Sequence, residues 1–221
     1  MVTTVLNRSH VPELSEPERA CLALAWEAFL AGTNPVGAVV IDETGRIVAS
    51  GRNAVYEASH PTLLSASRLA HAEINALFGL PVHERHGALR LVTSLEPCQM
   101  CAGAVRMATV GALTYLGADP VNGTAWALES ARFVNHRPVQ VTGPRTDSVG
   151  LLASGLAQAF VQARSPEGNF AVAYRQRRPD LAAVAQALID AGLLDLAARR
   201  EPWPDVAPVL LAAVAAVSEP A

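Results

Sequence analysis

With 221 residues, 51% of them hydrophobic and 17% charged, the chain has material for one generous domain, or a domain with an appendage, and its composition excludes a disordered chain. A net charge of −3, with all 17 cationic side chains arginine, argues against the basic footprint that nucleic-acid binding leaves. Three cysteines are too few for a disulfide framework, residues 1–8 lack the apolar run of a signal peptide, and the most apolar stretch, 206–217, is too short to span a bilayer. A soluble protein in a reducing, cytoplasmic setting is the expectation.

Ser15-Glu16-Pro17-Glu18 has the form of a capping box, in which the hydroxyl and the carboxylate satisfy each other's free backbone donors. The helix it opens carries Leu22, Ala25, Trp26 and Phe29 on one stripe and stops at Gly32. Cys21 borders that stripe and reads as a small core residue. Residues 37–41 read as a buried strand, Glu43-Thr44-Gly45 as a turn, and 46–49 as the antiparallel return. After Gly51-Arg52-Asn53 comes a polar connection without a clear period, 54–68.

Residues 71–80 have helical composition and end at Pro81; 89–93 alternate as a strand does. Pro97 fits the first turn of a helix over 98–107, where its missing N–H costs nothing, and 112–116 form the next strand. A strand, a helix of this length and a second strand predict parallel pairing through a right-handed crossover. A helix over 126–133 and a fifth strand at 138–142 follow. From Val149 the pattern turns to helices alone, at 151–164, 181–199 and 208–217. The expected fold is α/β, a mixed five-stranded sheet between helical layers over 1–148, with a helical C-terminal extension, 149–221, packed on the core or on a partner subunit.

The chemistry gathers in Cys98-Gln99-Met100-Cys101 and His71-Ala72-Glu73. A C-x-x-C at a helix start puts both sulfurs on one side, and the helix N-terminus favours their thiolate forms. Three readings are open at this point. A structural zinc site needs four protein ligands, and there is no second cysteine pair. A redox pair leaves His71 and Glu73 unexplained. A catalytic metal site with three protein ligands uses them all and keeps its fourth position for water. Residues two apart in mid-helix do not face each other, which places His71 at the first turn, with Glu73 reaching past the metal as a general acid and base. His10, His60, His83, His86 and His136 lack such companions and read as surface or loop residues.

The runs Asn34-Pro35-Val36-Gly37-Ala38-Val39-Val40, Gly51-Arg52-Asn53, Ala70-His71-Ala72-Glu73 and Leu95-Glu96-Pro97-Cys98-Gln99-Met100-Cys101-Ala102-Gly103-Ala104 together resemble the cytidine-deaminase-like superfamily. The nearest branch is that of tRNA adenosine, guanine and cytosine deaminases; H-x-E followed by P-C-x-x-C is the nucleobase-deaminase signature. The resemblance implies a three-layer α/β/α sandwich and zinc held by His71, Cys98 and Cys101. It makes Glu73 the proton shuttle and Asn53 a hydrogen-bonding group for the substrate. It sets the backbone of Ala72 and the region of Pro97 beside the pocket, and offers Asp119, Trp126 and Phe133 as closing residues. It further implies a zinc-dependent hydrolytic deaminase of a free purine base or nucleoside, acting through zinc-activated water as a homodimer. A tRNA adenosine deaminase, a cytosine-type base deaminase and a non-catalytic zinc module are the alternatives.

Two departures stand out. The Pro-Thr pair that usually precedes the Ala-His-Ala-Glu run is His60-Pro61-Thr62 here, parted from it by Leu63 to Leu69, an apparent insertion that offers Arg68 as a contact. The C-terminal third matches no branch of the superfamily, and its basic cluster of Arg175, Arg177 and Arg178 reads as a solvated face.

Overall fold

The structure, a computed structural model, describes residues 12–129 and 138–218. Helix α1, Glu16–Leu30, begins at the expected cap: the Glu18 carboxylate accepts from both the backbone N–H and the hydroxyl of Ser15, at 2.8 Å each. Strands β1, Gly37–Ile41, and β2, Ile47–Arg52, form the antiparallel hairpin. Helix α2, Ala72–Phe78, strand β3, Arg90–Leu95, helix α3, Gln99–Met107, and strand β4, Ala112–Gly117, follow. Strand β5 is short, Gln140–Thr142. The sheet order is β2-β1-β3-β4-β5, with β1 antiparallel to both neighbours and β3, β4 and β5 parallel. The α/β fold with a mixed five-stranded sheet is as expected.

Alternation along the strands sorts the core. Ala38, Val40, Leu91 and Leu95 pack with Ala72, Ala76, Ala102 and Val105 of α2 and α3, whereas Val39 and Val92 meet Cys21 of α1 on the opposite face. Cys21 is the small core residue expected of it, its thiol directed at the Val92 carbonyl. A Cβ at Gly51 would stand 2.4 Å from the Ala76 backbone nitrogen, so glycine there lets α2 lie close on β2.

Some expected elements need correction. Pro97 stands before α3 rather than in its first turn, because Cys98 is the N-cap. The described part of the expected helix 126–133 is a short 3-10 turn, Ala125–Leu128, and residues 130–133, Phe133 among them, lie outside the described residues, as do His10 and His136. Helix α4 starts earlier, Ser148–Arg164, because the Asp147 carboxylate caps it by accepting from Val149 and Gly150 N–H. Helix α5, Asn169–Arg177, has no counterpart in the expectations; it buries only Ala171 and Tyr174, too few apolar positions to give a helical period. The expected helix 181–199 is two, α6, Pro179–Asp190, and α7, Leu193–Ala198, parted at Gly192 with φ +89°. Helix α8, Trp203–Ser218, begins before the expected 208 and carries Pro208 inside it.

The C-terminal helices share a core with α1 and β4. Leu22, Trp26 and Phe29 pack with Leu116, Leu156, Val184, Leu188, Leu210 and Val214 in one buried cluster. No helix among the described residues is long and apolar enough to cross a membrane.

Candidate active site

Two helix starts converge at the C-terminal ends of the parallel strands, where open α/β sheets bind ligands. His71 is the N-cap of α2 in an extended conformation, φ −76° and ψ 155°, which makes Glu73 the second helical residue. Cys98 is the N-cap of α3, and Cys101 stands one turn in. The ligand atoms meet: Cys98 Sγ lies 3.6 Å from Cys101 Sγ and 3.6 Å from His71 Nδ1, and Cys101 Sγ lies 3.5 Å from the same nitrogen.

These distances test the fit to zinc. Tetrahedral bonds of about 2.3 Å to sulfur and about 2.0 Å to nitrogen give sulfur–sulfur edges of about 3.8 Å and sulfur–nitrogen edges of about 3.5 Å. The triangle of ligands is therefore one face of a zinc tetrahedron. Among the described residues these three form the group able to hold a metal, and a fourth protein ligand is not among them.

The electrostatics suit the same use. The Cys101 thiol and the His71 ring, both bonding to Cys98, pull its thiol down to about 4 against the effect of burial. Sharing with Cys98, together with burial, pushes the Cys101 thiol up, and the bond to Cys98 raises His71. Burial pushes Glu73 up to about 6; its residue is only 3% exposed.

A pocket of about 550 Å³ opens over the triangle. His71, Glu73 and Cys98 line its floor with Asn53, Asn34 and Leu95; Glu96, Asp119 and Asn122 line one side. The C-terminal third adds Phe160 and Arg164 of α4, and Phe170 and Tyr174 of α5, to its lining. Asn53 is held from below, its Oδ1 accepting from the Thr33 hydroxyl and the Val55 N–H. The Asp119 carboxylate accepts from Val121 N–H and Asn122 N–H at 2.9 Å each and from the Tyr174 hydroxyl at 3.0 Å. Glu96 accepts from Ala125 N–H and Asp119 N–H, and a Cβ at Gly123 would stand 2.3 Å from its carboxylate.

Of the residues singled out in the sequence, the pocket brings together His71, Glu73, Cys98, Asn53 and Asp119, and Cys101, the third vertex of the triangle, is buried beside it. Ala72 and Pro97 adjoin it in sequence without lining it; the Pro97 carbonyl is taken by the Thr124 N–H. Trp126 does not close the pocket: it is 67% exposed and points elsewhere, because the 3-10 turn directs Ala125 and Leu128 inward instead. Arg68 is exposed and away from the pocket. The stretch 63–69 lies on the surface, pinned by Asn75 of α2, which accepts from Leu64 N–H and donates to the carbonyls of Leu64 and Arg52. His60 accepts from Thr62 and Leu63 N–H within its own turn. Tyr56, Asn122, Arg164 and Tyr174 escaped the sequence reading, since nothing in their local patterns announces a pocket wall. A larger groove of about 890 Å³ lies at the other end of the sheet, around Asp42, Gly87, Met107 and Pro138, with no histidine or cysteine among its described lining residues. The chemistry is not there.

Residues 14–116 match the family described as the cytidine and deoxycytidylate deaminase zinc-binding region. Over 105 residues the chain is 41% identical to the tRNA(Ile)-lysidine synthase of Deinococcus deserti, an alignment covering 46% of this chain and 18% of that protein, so the chain spans less than a fifth of this relative. It is 33% identical over 133 residues to the tRNA-specific adenosine deaminase of Bacillus subtilis, covering 58% of this chain and 76% of that one. The solved guanine deaminase from Nitrosomonas europaea superposes with a TM-score of 0.50 at 26% identity, covering 67% of this chain and 86% of that chain.

Proposed function

Because the chain belongs to the cytidine-deaminase-like superfamily of zinc-binding deaminases, we propose that it is a hydrolytic deaminase acting on a free purine base or nucleoside. The observation that carries the reading is the pocket itself, which puts a buried carboxylate beside a zinc-shaped ligand triangle under a wall of aromatic side chains. His71, Cys98 and Cys101 would hold zinc, which would supply Lewis acidity that lowers the pKa of water. Glu73 takes a proton from the attacking water and passes it to the purine ring nitrogen and the departing amine. Water adds to the amino-bearing ring carbon, the carbon–nitrogen bond breaks, and ammonia leaves. Asn53 orients the ring through its side-chain amide, which the bonds from Thr33 and Val55 keep in one rotamer.

The size of the substrate is inferred from the pocket's walls and from charge. The net charge is −3, and the basic cluster is engaged locally: Arg175 with the Pro166 carbonyl, Arg177 with the Pro120 carbonyl, and Arg178 with Asp180. The rival is a tRNA adenosine substrate, favoured by the likeness to the tRNA-specific adenosine deaminase of Bacillus subtilis. A homodimer goes with the reading, and Phe78 and Met107, exposed at the far ends of α2 and α3, support it. Sedimentation velocity measures it directly.

The test is ammonia release from a panel of purine and pyrimidine bases, nucleosides and folded tRNA, with Glu73→Ala as control. The control is expected to lose about 10²- to 10⁴-fold in rate. Zinc bound with no member of the panel turned over removes the catalytic reading. Turnover of tRNA alone removes the small-molecule one.

A further inference from the structure

One feature of the pocket mouth has no role in the deamination just described. Arg164, the last residue of α4, sets its guanidinium over the ring of Tyr56, 4.3 Å from the centroid, and both residues line the pocket. They come from distant parts of the chain: Tyr56 follows Asn53 by three residues, and Arg164 ends α4. Arg164 is the one arginine among the described lining residues.

Its charge is not answered by an ion pair among the described residues. The two carboxylates of the side wall are turned onto backbone N–H groups, Glu96 onto Ala125 and Asp119, and Asp119 onto Val121 and Asn122. The ion pairs among the described residues occupy Arg46, Arg52, Arg145, Arg175, Arg178 and Arg199 and leave Arg164 out. A guanidinium seated over an aromatic ring is steadied by it while N–H donors stay open. That is a fork held ready for a planar or tetrahedral anion.

We infer that Arg164, steadied by Tyr56, is a specificity-determining residue that binds an anionic group on the substrate, and that the preferred substrate is a purine nucleoside 5′-monophosphate. The inference rests on the deaminase reading above and deepens it. A ring seated between Asn53 and Glu73 leaves its sugar substituent to extend toward the mouth, and the anionic group that a purine carries on its sugar is a phosphate.

The experiment compares kcat/KM for ammonia release from guanine, guanosine and guanosine 5′-monophosphate, and from the matching adenine series, using the zinc-loaded wild-type protein and the variants Arg164→Ala, Arg164→Lys and Tyr56→Leu. The wild type is expected to favour the monophosphate over the nucleoside by about tenfold, the low end for a hydrogen bond to a charged group, since the guanidinium is exposed. Arg164→Ala should bring that ratio close to one. Arg164→Lys, which keeps the charge without the fork, and Tyr56→Leu, which frees the guanidinium, should each retain part of it. Raising the salt concentration should shrink the wild-type ratio, as screening of an exposed ion pair requires. A wild-type ratio of one or below overturns the inference, and so does an Arg164→Ala variant that slows nucleoside and monophosphate equally. If base or nucleoside is turned over without a phosphate preference, this inference fails and the deaminase reading stands. If no purine reacts in any form, the deaminase reading itself has failed. Loss on Arg164→Ala confined to folded tRNA overturns the mononucleotide in favour of a polynucleotide.

Discussion

Trp26→Ala probes whether the C-terminal helices and the α1–β4 side of the sheet are one folding unit. The indole is 1% exposed, stacks on Phe29 with ring centroids 5.5 Å apart, leans on Trp203 at 6.4 Å, and donates from Nε1 to the Glu201 carbonyl at 2.8 Å. It thus joins α1 to the segment entering α8, across 175 residues of chain. Truncating a buried tryptophan to alanine costs about 3–5 kcal/mol, including the cavity left behind, and the unpartnered Glu201 carbonyl places the loss toward the upper end. Against a total stability of about 5–15 kcal/mol for a domain, that is a large fraction. At about 2–4 °C per kcal/mol for a chain of this length, the melting temperature should fall by about 6–20 °C. Far-UV circular dichroism and urea titration followed by two probes measure it. A single cooperative transition that moves as a whole is the expected result, because α1, β4, α4, α6 and α8 share one buried cluster. The reasoning is refuted by a loss below about 1 kcal/mol, or by two transitions of which only the helical one shifts. On this reading the described C-terminal helices share their buried cluster with α1 and β4 and fold with them as one unit.

Cys98→Ala should abolish stoichiometric zinc, measured by elemental analysis of the purified protein, because two remaining ligands form no closed triangle; retention of one zinc per chain would contradict the ligand assignment. Tyr174→Phe removes the hydroxyl that donates to Asp119, and since that carboxylate keeps two backbone donors the loss should be about 1.5 kcal/mol, a fall of about 3–6 °C in Tm. An unshifted melting curve would mean that α5 is not held by that bond. Acid sensitivity is the last. Partial burial opposes it, yet the Ser15 N–H and Arg145 hold Glu18 below its usual value, and Arg145 likewise holds Asp147 down. Carboxylates with lowered values in the fold contribute stability that is present above their unfolded pKa and lost as pH falls through the folded one. Arg145→Met should therefore cost about 0.5–1 kcal/mol at pH 7, discounted for the partial exposure of all three side chains, and the gap should narrow as the pH falls to 3. Urea midpoints at the two pH values decide it, and a gap that is equal at both counts against the ion pair as its source.

The amino-acid sequence by itself determined what local geometry controls. The capping box of Ser15 and Glu18 acts over one helical turn, and the strands at 37–41, 90–95 and 112–117 declare themselves by apolar runs between turn residues. The zinc triangle was legible because its chemistry demands particular residue types at fixed spacing, and because helix starts aim His71 and the two cysteines outward at the strand ends. What only the tertiary structure decided is which side chains from distant segments face one another. Tyr174 meets Asp119 across 55 residues, Arg164 meets Tyr56 across more than a hundred, and Asn75 pins the 63–69 excursion to α2, all through contacts without a sequence period. Trp126, an aromatic in a plausible position, faces solvent for the same reason: a 3-10 turn instead of a helix rotates it away. The ligand set is written in residues whose spacing is short; the part of the pocket lining that comes from α4 and α5 depends on how α4 packs against α1 and β4, where burial of apolar surface outweighs any local preference.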